Sequence, residues 1–231
     1  MKKILFTAAI IISFNASVIG ADYAFSFKKE LAENNKIEKL SGSFYIVEAG
    51  KNEEDKAFFV IKDPVHQIIT FEQKEMKVFY PEEKKLFLIP FDKNMDSGAF
   101  GMSVKKIDPA GMGFLLKKEV VSDTGITYKW APKDIIRSKI KKMDLKYDLN
   151  DNLKEVAVYG SGKDALMRIS YSDYFKVGDK NFPLFVEVYS KLSGISYMER
   201  MMYKPEKVKK IPDMIKSFKV PEDVVIISGK S

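Results

Sequence analysis

A two-residue rhythm of apolar and polar side chains runs through most of this chain, and it constrains the fold more than any other feature. Met143, Leu145, Tyr147 and Leu149 alternate with Asp144, Lys146 and Asp148. Ile126, Tyr128 and Trp130 alternate with Thr127 and Lys129, and Met167, Ile169 and Tyr171 with Arg168, Ser170 and Ser172. Leu184, Val186 and Val188 form one face of another such run. Alternation of this kind describes strands buried on one side only. Less regular runs occupy 44–48, 57–62, 67–72, 76–80, 85–89, 155–159 and 195–203. The joints between runs are turn-like: Pro81-Glu82-Glu83, Asp123-Thr124-Gly125, Asn150-Asp151-Asn152 and Gly178-Asp179-Lys180-Asn181. Short polar joints between alternating strands make hairpins, so the expected fold is a long antiparallel meander and not a βαβ unit. No internal repeat or linker interrupts it, and a single domain is expected over 21–231.

Two stretches break the rhythm. Between Phe25 and Leu40, the apolar pairs Phe27/Leu31 and Ile37/Leu40 have helical spacing. This predicts an amphipathic helix with Ser26 as N-cap, ended by Ser41-Gly42. The second stretch, Asp92 to Leu116, is irregular and rich in Met and Gly. It reads either as a loop or short helix closing the core, or as a movable lid carrying Met95, Phe100, Met102, Met112 and Phe114. Met fills irregular apolar space and Gly loosens the backbone.

The first twenty residues have the three parts of a signal peptide. Lys2 and Lys3 precede an apolar run from Ile4 to Phe14, and small residues follow at Ala16, Ser17, Gly20 and Ala21. The run is shorter than the roughly 20 apolar residues a membrane-spanning helix needs. Cleavage after Gly20 or Ala21 is expected, with release into the periplasm. The chain has no Cys, so it has no lipid-bearing cysteine and no disulfide. Its net charge of +7 falls to about +5 without Lys2 and Lys3. The lysines are scattered and only Arg137, Arg168 and Arg200 are arginines. The clustered basic stripe of a nucleic-acid surface is missing, and weak attraction to anionic headgroups is the most this charge implies.

Templates for catalysis fail one by one. The single His, His66, has no nucleophile or acid partner in sequence. One His and no Cys leave little for zinc. Asp148–Asn152 opens like a calcium loop, but Leu153 and Tyr159 stand where Gly and Glu are required. Ser26-Phe27-Lys28-Lys29 matches S-x-x-K without its companion motifs. Gly160-Ser161-Gly162 precedes no phosphate-binding helix. Glu72 and Glu75 are the carboxylates that an enzyme reading would have to bring together. No catalytic residue, metal or cofactor is therefore expected. A β-rich exported domain with surplus aromatic and Met surface suggests a binder of apolar ligands. The inward-facing candidates are Phe44, Phe58, Val60, Val78, Tyr80, Tyr128, Trp130, Met167, Ile169 and Tyr171.

The order of parts resembles the periplasmic lipoprotein carrier family LolA. The likeness runs through Leu40-Ser41-Gly42-Ser43-Phe44 and then Lys56-Ala57-Phe58-Phe59-Val60-Ile61-Lys62-Asp63-Pro64. It continues through Gln67-Ile68-Ile69, Val78-Phe79-Tyr80-Pro81 and the closing Phe218-Lys219-Val220-Pro221-Glu222-Asp223-Val224. The resemblance implies a mainly β (α+β) fold, an open antiparallel half-barrel with helices across its concave face. It implies a non-catalytic monomer whose apolar cavity takes the acyl chains of lipoproteins or free lipids. An inner-membrane ABC transporter would load it and an outer-membrane acceptor would unload it. A non-catalytic envelope interaction or lipoprotein-sensing module on the same fold is the alternative. One departure stands out. The family's Arg just before the strand that here contains Phe58 and Phe59 is absent, and Lys56 at the end of Lys51-Asn52-Glu53-Glu54-Asp55-Lys56 lacks the guanidinium fork.

Overall fold

A computed structural model describes residues 23–33, 36–47, 56–72, 75–90, 107–134, 139–177, 180–192, 195–206, 211–216 and 218–228. The signal-peptide segment lies outside them. The first half contributes β1 (Tyr23–Glu33), β2 (Lys36–Val47), β3 (Lys56–Asp63), β4 (Gln67–Glu72), β5 (Glu75–Tyr80) and β6 (Lys85–Pro90). The second contributes β7 (Phe114–Ser122), β8 (Gly125–Pro132), β9 (Lys142–Tyr147), β10 (Leu153–Tyr159), β11 (Ala165–Val177), β12 (Lys180–Leu192) and β13 (Ile195–Pro205). A single helical turn, α1 (Asp213–Lys216), and a short last strand, β14 (Val225–Ser228), follow.

All strands form one sheet in the order β14-β6-β5-β4-β3-β2-β1-β13-β12-β11-β10-β9-β8-β7. It is two meanders joined edge to edge, and the β1–β13 pair is the seam. Every pairing is antiparallel except that of β14 with β6. The terminal strands β7 and β14 do not pair with each other, so the sheet is open.

The helix expected over Phe25–Leu40 is not formed. The segment is instead β1 and the start of β2. Phe25, Phe27, Lys29 and Leu31 are all buried while Lys28 is exposed, which is a period of two. A spacing of four belongs to both periods, and Lys29 in an inward position concealed the strand. Ser26 lies within β1 opposite Ser43 and caps nothing. Ser41-Gly42 lies inside β2, and Gly42 is there for close approach: a Cβ would stand 2.1 Å from the Val60 carbonyl oxygen.

The outer face is partly polar and partly covered. Glu187, Arg200, Glu30 and Lys39 form one row across β12, β13, β1 and β2. Arg200 Nε donates to Glu187 at 2.7 Å and Lys39 lies 2.9 Å from Glu30. Alternating signs across a ladder suit solvent-facing strands. Over β3–β6 the same face carries an apolar patch, and the C-terminal segment covers it. Ile211 and Ile215 pack on Phe58, and Phe218, Val220 and Val224 pack on Ile68, Phe79 and Leu86. The α1 turn belongs to this outer cover, so the only described helix does not cross the inner face.

The β9–β10 turn shows how tightly a local signal is fixed. Asp148 Oδ1 accepts from the backbone N–H groups of Asn150 and Asn152, both at 2.9 Å, and Oδ2 accepts from the Asn152 amide at 3.0 Å. Partial burial pushes this carboxyl up, but the Asn152 and Asn150 donors and nearby Lys154 outweigh it and hold it below its ordinary value of 3.8. Asp148→Ala is expected to cost about 1–2 kcal/mol in urea unfolding at pH 7. A depressed carboxyl contributes stability above its unfolded pKa and loses it as pH falls through the folded one. The gap between variant and wild type should therefore close below about pH 4.

Candidate functional site

The inner face follows from the register. Phe44 opposes Phe59, which opposes Ile69, which opposes Val78, which opposes Phe87. On the other side of the seam, Val186 opposes Tyr171, Val188 opposes Ile169, and Ile169 opposes Val156, which opposes Leu145 and then Tyr128. The apolar clusters of the two halves share Ile169 and Tyr171, so the inner face carries one continuous apolar lining.

This face is concave, as its rings show. Phe44 on β2 and Phe182 on β12 are three strands apart, about 14 Å on a flat sheet, yet their ring centroids lie 6.4 Å apart. Phe25 on β1 and Phe175 on β11 are likewise three strands apart and 6.3 Å between centroids. Convergence of this kind fits a sheet that curls toward these side chains. At the centre the rings form a tight knot. Phe44–Phe59 centroids are 4.5 Å apart, Phe25–Phe182 4.8 Å and Phe182–Tyr203 5.1 Å. Away from the knot the lining is only half-buried, at Met76, Tyr80, Phe87 and Ile89 on one side and at Tyr128, Trp130, Met167, Ile169 and Tyr171 on the other. No described acceptor reaches the buried Trp130 Nε1. Burial pushes the Tyr147 hydroxyl up to about 12, with smaller contributions from Asp151 and Tyr128.

Eight of the sequence candidates share this face: Phe44, Val78, Tyr80, Tyr128, Trp130, Met167, Ile169 and Tyr171. Phe58 and Val60 do not. They point outward under Ile211, Ile215 and Phe218. In Phe58-Phe59-Val60-Ile61 every residue is apolar, so alternation gave no direction, and a slip of one residue exchanges the faces. Of the lid candidates, Met112 stands 64% exposed in the turn before β7, and Phe114 is the buried first residue of β7, packed with Met143 and Leu145. Met95, Phe100 and Met102 lie outside the described residues, as does the stretch that lacks the family Arg. Glu72 and Glu75 are cross-strand partners, but Glu75 shares the outer face with Phe79 and lies 3.6 Å from Lys77. His66 Nδ1 meets Glu82 Oε1 at 2.8 Å on the surface.

Three inner-face residues escaped the sequence reading. Lys29 on β1 and Glu199 on β13 form an ion pair, Nζ to Oε1 3.0 Å, with 6% and 1% of their side chains exposed. Ser190 on β12 is fully buried near them. Burial pushes the Glu199 carboxyl up, and Lys29 pulls it back only in part. The signal was present: Lys29 is flanked by Phe27 and Leu31, and Glu199 by Tyr197 and Met201, each at spacing two.

No protein-family model and no curated protein matches the sequence. Solved structures do match. A DUF1329 family protein from Desulfovibrio piger is 12% identical, with TM-score 0.58 over 87% of this chain and 91% of that one. A LolA superfamily protein from Nitrosomonas europaea is 14% identical, with TM-score 0.53 over 90% and 93%. A candidate outer membrane lipoprotein-sorting domain from Vibrio parahaemolyticus is 13% identical, with TM-score 0.54 over 85% and 90%. These likenesses establish the fold: an open, mainly antiparallel sheet of the kind found in the LolA superfamily.

Proposed function

We propose that this protein is a soluble, non-catalytic carrier of the bacterial periplasm that takes acyl chains of lipoproteins or free lipids onto its inner face and moves them toward the outer membrane. The observation that carries the reading is the concave apolar lining, only half-buried on either side of the aromatic knot. Transfer of each methylene from water is worth about 0.8 kcal/mol. About ten methylenes thus supply about 8 kcal/mol, the scale of micromolar affinity before the costs of association. A fold shared with a LolA superfamily protein and a candidate lipoprotein-sorting domain supports the same reading. Loading by an inner-membrane ABC transporter and unloading to an outer-membrane acceptor fit a monomer that must shield acyl chains in transit.

The test is native mass spectrometry of the protein purified from its own periplasm, paired with a fluorescence titration. Acyl-bearing adducts are expected. The emission of Trp130, the only Trp, should shift when a diacylated peptide is added. A protein that is always empty, takes up no acylated peptide and instead pulls down a stable protein partner would overturn the carrier reading in favour of an interaction module.

A further inference from the structure

Lys29, Glu199 and Ser190 are the buried polar side chains of the inner face among the described residues. They sit at its middle. β1 and β13 are the seventh and eighth of fourteen strands, and an apolar half extends to each side. Glu199 stands in a row with Leu31 and Val188, one pleat from Met201. An ion pair in such a place is weak evidence for stability, because desolvation offsets the attraction. This one is also incomplete. No described donor reaches Glu199 Oε2, and Ser190 stands opposite Tyr197, whose hydroxyl is its neighbour. Lys29 has three N–H donors, and its Nζ lies 3.0 Å from Glu199 Oε1.

We propose that this cluster binds the polar linkage of an N-acylated ligand: Glu199 Oε2 accepts the amide N–H, and Lys29 donates to the amide carbonyl. The proposal rests on the carrier reading and names the ligand class within it. An amide fits because it offers one donor and one acceptor side by side. An ester offers acceptors alone and leaves Oε2 unpaired, which is the costly outcome for a buried group. A free carboxylate adds a second negative charge beside Glu199. A bare hydrocarbon satisfies neither partner. The central position suits a ligand whose acyl chains diverge from the linkage into the two apolar halves.

The experiment compares two probes that differ by one group, N-hexadecanoylglycine methyl ester and O-hexadecanoylglycolic acid methyl ester, titrated into the full-length protein by Trp130 emission. The amide is expected to bind about tenfold or more tightly. The double variant Lys29→Met/Glu199→Leu should bind both probes equally, near the wild-type affinity for the ester. Glu199→Gln, which keeps the volume, should erase the preference too. Its oxygen stays on Lys29, and its NH₂ stands where the amide needs an acceptor. Equal binding of the two probes by the wild type would overturn the inference and leave the carrier reading intact. A preference that survives in both variants would overturn it as well. Failure of the wild type to bind either probe would remove the carrier reading, and this inference with it.

Discussion

Lys29→Met alone is expected to destabilise the protein by about 3–5 kcal/mol, because it leaves the Glu199 carboxylate buried and unpaired. Adding Glu199→Leu should return stability to the wild-type level or above it, since apolar residues of similar volume replace a pair that pays heavily in desolvation. The pH dependence separates this account from a simple loss of packing. In the Lys29→Met protein nothing draws the Glu199 carboxyl back down, so its folded pKa lies above the ordinary value of 4.5. A raised carboxyl leaves the native state with more bound protons than the unfolded state, so stability falls as pH rises between the two values. The single variant should therefore lie closest to wild type in acid and diverge as pH rises through the folded pKa. Urea unfolding at a series of pH values reads this directly. A loss of the same size at every pH would contradict it.

Phe44→Ala is expected to cost a similar amount, about 3–5 kcal/mol, for a different reason. Phe44 is fully buried, and its ring centroid lies 4.5 Å from that of Phe59, 6.0 Å from Phe25 and 6.1 Å from Tyr203. Truncation removes the ring that ties β2 to both sides of the seam, and neighbours held by their own strands cannot close the gap. The loss should be independent of pH, since no charge is involved. Phe58→Ala makes the control. Its side chain is 4% exposed, but it lies under the C-terminal cover. It should destabilise the protein while leaving the affinity for acylated probes unchanged.

Most of the fold was legible because half-buried strands write their facing into the sequence. The β9 alternation from Met143 to Tyr147 and the β11 alternation from Met167 to Tyr171 carried their true directions. The Asp123-Thr124-Gly125 turn was legible for a steric reason. Gly125 has φ +143, and a Cβ there would lie 1.9 Å from the Tyr147 carbonyl oxygen. Direction was lost where both faces are apolar, as at Phe58 and Val60, because the C-terminal segment makes a second core on the outer side of β3–β6. The strand identity of β1 was lost where a charge points inward. Lys29 breaks the pattern for any reading that assumes lysine faces water, and its partner Glu199 lies far along the chain. That same long-range pairing hid the polar centre of the site, since neither residue announces it alone. The parallel pairing of β14 with β6 was illegible for a related reason: Val225–Ser228 is short and exposed on every residue.

The seam also governs when the molecule can come into being. The pairings within each meander are mostly local and can form soon after their strands exist. The join is of another kind, for Phe25 meets Pro205 and Glu33 meets Tyr197. Nearly the whole sequence must be present before the two middle strands can find each other, and closing so long a loop is slow. Until then Phe25, Phe44 and Phe182 have no common centre, and neither half holds a finished pocket. The join between the two half-linings is thus expected late in folding, and a truncated chain ending before β13 is left with the lining of each meander and no seam to unite them.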